Sequence, residues 1–208
     1  MDAITVYSDY VCPFCYLGRQ SLAEYQATRE APLEIDWRPF DLRAGKRNPD
    51  GTIDHSVDDG KGDDYYEQAR ENVRRLQERY DADMAQEIAT DVDSRPAQAL
   101  SLHVKETEPY ETWLAVDESI FEALWVDGRD IDDEAVLADC AEAGGVDPDA
   151  VGAVLGPNVD EALFADLDER FAAAQKQGVT GVPTFAYGDH AARGAVPPAQ
   201  LRRLVEGA

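Results

Sequence analysis

The chain has 208 residues, enough to bury a substantial core in one generous domain or two small ones. With 19 Lys+Arg against 43 Asp+Glu its formal charge is −24, which excludes a general nucleic-acid binder and a protein held on an anionic membrane, since both need clustered positive charge. Three cysteines are too few for a secreted disulfide scaffold, a 44% hydrophobic content excludes a disordered acidic tail, and no apolar run approaches the roughly 20 residues that span a bilayer.

Ile4, Val6 and Tyr7 form a short β-prone run ending at Ser8-Asp9, with no basic and apolar leader pattern before it, so a cytoplasmic protein is expected. A helix is predicted from Pro13 to Arg29, with Cys15, Leu17, Leu22 and Tyr25 among its less polar positions. Leu33 to Trp37 then alternates apolar and polar residues with period 2, as a half-buried strand does. The connection is long enough for a crossover helix, which makes the two strands parallel. Residues 43–63, rich in Gly, Pro, Asn and Asp, read as loop.

From Asp64 to about Gln177 the pattern is helical. Val73, Leu76 and Tyr80 mark one helix, and Trp113, Leu114, Ile120, Phe121, Leu124 and Trp125 give another a broad apolar face. Asp132 and Asp147, the latter followed by Pro148, are expected N-caps. Leu163, Leu167 and Phe171 lie on a last helix of this block that stops at Gly178. Thr184–Tyr187, a turn at Gly188-Asp189, a short run near Ala191-Ala192 and a closing helix from Pro197 to Val205 complete the order. The sum is β-α-β, a helical block, then β-β-α.

Chemistry concentrates where the first strand hands over to a helix, at Cys12-Pro13-Phe14-Cys15. Free backbone N–H groups and the helix dipole at such a start favour negative charge, and therefore a thiolate at the first cysteine. Two intervening residues bring the second sulfur within reach of a disulfide, and Pro13 suits the first helical position, where its missing N–H costs nothing. Cys12, at an exposed N-cap, is the expected nucleophile, and Cys15, one turn inside, the resolving thiol. A metal site and an inert core pair are the competing readings. Cys140 is the only other thiol and His55, His103 and His190 form no pair at zinc-finger spacing, so no metal is expected. Both cysteines sit beside Pro13 at a helix start and not on an apolar stripe, which counts against an inert pair. Cys140 reads as a packed thiol.

A second signal is Gly181-Val182-Pro183-Thr184 at the head of a late strand, where a proline belongs because it cannot donate to the ladder. Together with the Cys-Pro-Phe-Cys pair and the helical block between them, it resembles the DsbA-like thioredoxin superfamily, and within it the FrnE-type branch that includes 2-hydroxychromene-2-carboxylate isomerases and kappa-class glutathione transferases. Asp9-Tyr10-Val11-Cys12-Pro13-Phe14-Cys15-Tyr16-Leu17-Gly18, Trp37-Arg38-Pro39-Phe40-Asp41-Leu42 and Phe121-Glu122-Ala123-Leu124-Trp125 carry the resemblance along nearly the whole chain. It implies an α/β, thioredoxin-like fold from residues 1–56 and 175–208 with an inserted all-α domain over residues 57–174. It also implies that Pro183 is a cis-proline facing the cysteines, and that Val182 offers backbone hydrogen bonds to an extended substrate that Pro13 and Phe14 also touch.

The departures from that pattern refine the expected activity. Gln98 stands where branch members often carry His, and the cysteine pair replaces the lone Ser of the isomerases and transferases. A thiol–disulfide oxidoreductase is therefore expected ahead of a glutathione-dependent isomerase or transferase, or of a binding protein that has lost turnover. Its partners would be protein or low-molecular-weight thiols and disulfides. It would need no cofactor beyond the Cys12–Cys15 pair, with glutathione as a candidate co-substrate. Val6 occupies the position of the buried acid found in many such enzymes, which leaves Asp9 or a water to move the resolving proton. Phe14, where strongly oxidising relatives carry His, implies a middling redox potential. The dispersed acids, with 15 Arg against 4 Lys, resemble a surface suited to high salt, where ions screen self-repulsion.

Overall fold

Ile4 and Val6, buried at alternate positions, make Ala3–Ser8 a strand (β1) with one face in the core. Ile35 and Trp37 do the same for Glu34–Pro39 (β2), which runs parallel to β1 in the register Ala3↔Glu34 to Ser8↔Pro39. Thr184–Tyr187 (β3) lies antiparallel on the other side of β1, and His190–Arg193 (β4) pairs antiparallel with β3, giving the order β2-β1-β3-β4. The computed structural model describes residues 2–58, 60–155 and 159–207.

The crossover helix α1 (Pro13–Gln26) stops three residues earlier than its sequence pattern. Thr28 and Arg29 donate to the carbonyls of Tyr25 and Gln26 in tight three-residue turns, and the Arg29 guanidinium is drawn to the Tyr25 hydroxyl and Asp2. Among the described residues five α-helices fall between β2 and β3: α2 (Asp63–Tyr80), α3 (Arg95–Thr107), α4 (Tyr110–Trp125), α5 (Glu134–Ala143) and α6 (Glu161–Lys176). The closing helix α7 is Pro198–Glu206.

The helical block is less continuous than its composition indicates. Asp81 turns left-handed at φ 47° and ends α2, and residues 82–94 then run without helix. Asp133, not Asp132, caps α5, accepting from the Ala135 and Val136 N–H groups, because Asp132 is drawn away to the Asp93 N–H. Asp147 does act as an N-cap, but of a 3-10 turn over Pro148–Ala153. Gly144 lets α5 close on α4: a Cβ there would sit 2.3 Å from a Val116 methyl.

Trp37, Trp113 and Trp125, each at most 1% exposed, fill the core between sheet and helices. A buried ion pair crosses it, with Arg19 of α1 2.8 Å from Asp117 of α4, and the Tyr10 hydroxyl donates to the same carboxylate at 2.8 Å. Among the described residues no helix is long and apolar enough to cross a membrane.

Candidate active site

The turn from β1 into α1 is pinned from both sides. Trp37 donates its indole N–H to Ser8 Oγ at 2.9 Å, and Trp125 of α4 donates to the Tyr10 carbonyl at 2.8 Å. The Cys12 N–H returns to the Asp9 carbonyl at 3.1 Å, which sets Cys12 at the N-cap of α1 in extended conformation with Pro13 at the first helical position. Both thiols are free and one helical turn apart: the Cys15 N–H donates to the Cys12 carbonyl at 3.0 Å.

Cys12 is less accessible than an N-cap position implies. It is 4% exposed, because the segment before β3 closes over it: the Cys12 thiol donates to the Val182 carbonyl at 3.6 Å. Cys15 is still deeper, at 1%. The Val182–Pro183 peptide is cis. The Pro183 ring rests on α1, where Gly18 makes room for it, since a Cβ on Gly18 would lie 3.1 Å from the ring Cγ. Pro13 is buried and Phe14 half-buried beside the pair. Cys140 sits apart on α5, buried, with burial pushing its thiol up.

Burial drives the Cys15 thiol well above its ordinary range, and the hydrogen bond and charge of Cys12 push the same way. Asp9 acts both ways, its backbone hydrogen bond holding the Cys15 thiol down by more than its charge pushes it up. Asp9 is fully buried. Desolvation pushes its carboxyl up to about 6, against hydrogen bonds from Ser94 and from the backbone of Leu42 and Val11 that hold it down. The backbone donors lie at 2.9 Å (Leu42 N) and 3.2 Å (Val11 N). Gln98 supports Ser94 from behind: its amide donates to Ser94 Oγ at 3.1 Å and to the Phe40 carbonyl at 3.2 Å, while its buried Oε1 has no partner.

Sequence reasoning named Cys12, Cys15, Val182 and Pro183, which the structure brings together, and singled out Asp9 only for want of an acid at Val6. It missed Ser94 as a partner of Asp9, and the two tryptophans that fix the turn. The signal for Ser94 was weak. It lay only in the spacing of Ser94, Gln98 and Ser101, which puts three polar residues on one helical face beside Ala97.

A thioredoxin sheet with two thiols at a helix start under a proline loop defines a class, and comparison with known proteins agrees. The model of the DSBA-like thioredoxin domain matches residues 3–206, so the chain belongs to that family. YwbO of Bacillus subtilis (strain 168), itself an uncharacterized protein, is 27% identical over 195 residues, spanning 92% of this chain and 90% of its own. A probable DsbA oxidoreductase of Streptomyces coelicolor shares the fold with a TM-score of 0.78 at 20% identity, over 100% of this chain and 89% of that one. A 2-hydroxychromene-2-carboxylate isomerase does so at 0.72 and 22%, over 93% and 89%. The cytosolic disulfide reductase DsbM of Pseudomonas aeruginosa, with GSH, follows at 0.62 and 18%, over 97% and 92%.

Proposed function

We propose that the protein is a thiol–disulfide oxidoreductase in which Cys12 is the nucleophile, Cys15 the resolving thiol and Asp9 the group that takes the resolving proton. The observation that carries this reading is the Cys12 sulfur at the start of α1, 3.6 Å from the Val182 carbonyl above, with Cys15 one turn further along the helix and its N–H on the Cys12 carbonyl at 3.0 Å. The Cys12 thiolate attacks one sulfur of a substrate disulfide, forming a mixed disulfide and releasing the other substrate sulfur as thiolate. Cys15 passes its proton to the Asp9 carboxylate, and its thiolate attacks the Cys12 sulfur. The Cys12–substrate bond breaks, the second substrate thiolate leaves, and a Cys12–Cys15 disulfide remains. The substrate gains two electrons and the pair loses two. Run backwards, the same groups oxidise a dithiol, the direction being set by the partner's potential.

Asp9 suits this role on energetic grounds. Cys15 holds its proton firmly, so resolution needs a base that is itself buried and ionises near neutrality, and a carboxyl at about 6 meets that need. Val182 and Pro183 would hold an extended substrate strand against Cys12, with Pro13 and Phe14 as further contacts. Protein and low-molecular-weight disulfides are the partners of this reading, with glutathione among the latter, and no other cofactor is invoked. A cytoplasmic site of action and a discontinuous thioredoxin-like unit, residues 1–56 and 175–208, belong to the same proposal. The fold likeness to a cytosolic disulfide reductase supports the first.

The test is equilibration of the reduced protein with a series of glutathione redox buffers, followed by mass and alkylation mapping. One Cys12–Cys15 disulfide per substrate disulfide consumed is expected, lost in Cys12→Ser. No exchange with both thiols intact would contradict the reading.

A further inference from the structure

A groove of about 430 Å³ runs between the second half of α2 and the link from β4 to α7, walled by Arg75, Leu76 and Arg79 on one side and by Arg193 and residues 194–197 on the other. It lies at the same end of the sheet as the thiols. The C-terminal end of β1, which leads to Cys12, the N-terminal end of β3 and the C-terminal end of β4 share one edge of the sheet, with Tyr7 opposite Thr184 and Thr184 opposite Arg193. The Gly194 N–H donates to the Pro183 carbonyl at 2.8 Å, and the Arg193 stem passes Gly181, where a Cβ would lie 3.9 Å from its Cδ. Tyr80 at the end of α2 donates to the Ala195 carbonyl at 3.2 Å and fixes the two walls together.

The charge here is reversed relative to the chain. In a protein of net charge −24 the arginines elsewhere are commonly held by carboxylates, as Arg47 is by Asp41 and Asp93 and Arg95 by Asp168. Arg75, Arg79 and Arg193 form no ion pair among the described residues. Among the described residues Arg75 donates only to Asn72, and Arg79 lies over the Tyr80 ring. Glu71 and Glu78 share their helix without pairing with them. The dipole of α2 accounts for Arg79 in its last turn, but not for Arg193, which comes from a strand.

Resting on the proposed exchange at Cys12, we infer that this groove receives an acidic stretch of a protein substrate, its carboxylates lying a few residues from the cysteine that Cys12 attacks. Two strand spacings of about 4.8 Å separate the β1 and β4 ends, and an extended peptide advances about 3.3 Å per residue. Acidic side chains three to six positions from the substrate cysteine therefore reach the arginines, whereas a small disulfide bound at Cys12 does not span to α2. The −24 charge opposes such a partner at long range. At 0.01 M salt the field extends about 30 Å, but at 0.15 M only about 8 Å, so the contacts in the groove prevail once salt is present.

The test compares two disulfide-bonded peptides, identical except for Asp and Glu against Asn and Gln at those positions, with the full chain and the triple variant R75Q/R79Q/R193Q, at 0.5 M salt. Wild type should favour the acidic peptide in kcat/KM by roughly tenfold, and the variant should lose that preference while reducing oxidised glutathione at an unchanged rate. A ratio near one in wild type, or a preference that survives the three substitutions, overturns the inference. An equal loss on oxidised glutathione also overturns it, because the arginines then serve a small thiol. A labelled acidic peptide without cysteine gives an independent reading by anisotropy: its binding should weaken roughly tenfold in the variant, whether or not any disulfide is exchanged. If that binding is seen and no disulfide reacts, the groove stands and the oxidoreductase reading falls. If exchange runs without charge preference, the reverse holds.

Discussion

Gly18 lies directly against Pro183. A Cβ on Gly18 would come 3.1 Å from the proline Cγ and 3.1 Å from the tip of the Phe185 ring, so α1 and the loop over Cys12 meet with no spare space. Gly18→Ala gains about 1 kcal/mol of helix propensity. Against this, overpacking costs about 1–3 kcal/mol, and the atoms in the way belong to stiff rings. The variant should lose about 1 kcal/mol in denaturant unfolding and exchange disulfides more slowly as Pro183 is displaced. A more stable protein with unchanged exchange would show that the contact is loose.

Asp9 supplies a pH signature. Its carboxyl is at about 6 in the fold against an ordinary 3.8, so the folded chain binds this proton more tightly than the unfolded one. Its contribution is fully present below about pH 4 and is lost as pH rises through 6, about 3 kcal/mol in all for a two-unit shift. Activity should run the other way, with resolution by Cys15 accelerating as Asp9 ionises near pH 6. Asp9→Asn should abolish that inflection and slow resolution by roughly 10²-fold. Single-turnover kinetics across pH 4.5–8, roughly the range over which Asp9 titrates, decide it; the same inflection in the variant would assign the proton to another group.

The legible and illegible parts of the molecule divide by range. Strand and helix periodicity, the caps near Pro13 and Gly178, and the thiol pair are local signals, and the parallel pairing of β1 with β2 follows from them once a crossover is assumed. Long-range competition is what sequence hides. Asp132 and Asp133 are chemically identical candidates for one cap, and only the Asp93 N–H, 39 positions away, separates them. Cys12 is exposed by its position on α1 and covered by Val182, 170 residues later. Asp9 gains its raised carboxyl from burial, against hydrogen bonds from Leu42 and Ser94 that no spacing announces. Arg19 and Asp117 look like surface residues of two amphipathic helices until the helices pack together.

That ion pair gives a stability prediction. Asp117 is fully buried and Arg19 8% exposed, so Asp117→Ala strands a cation and the Tyr10 hydroxyl and should cost about 3–5 kcal/mol. Replacing both by Met and Leu should recover most of it. Urea unfolding of the single and double variants reads this directly, and a single variant within 1 kcal/mol of wild type, well below the expected cost of about 3–5, would mean that water reaches the site.

The surface charge gives another. At −24 the exposed carboxylates repel over about 30 Å in 0.01 M salt and about 3 Å in 1 M. The unfolding temperature should rise steadily between those conditions. A flat or falling profile would count against a surface suited to high salt.

The division of labour between the two thiols is the central claim, and Cys15→Ser tests it most directly. With its resolving thiol gone, this variant should attack a disulfide and then stall as a mixed disulfide through Cys12, visible by intact mass and peptide mapping. Cys12→Ser should trap little, because the remaining thiol is 1% exposed and holds its proton well above neutrality. Equal trapping by the two variants, or trapping through Cys140, would contradict the assignment of Cys12 as the attacking sulfur.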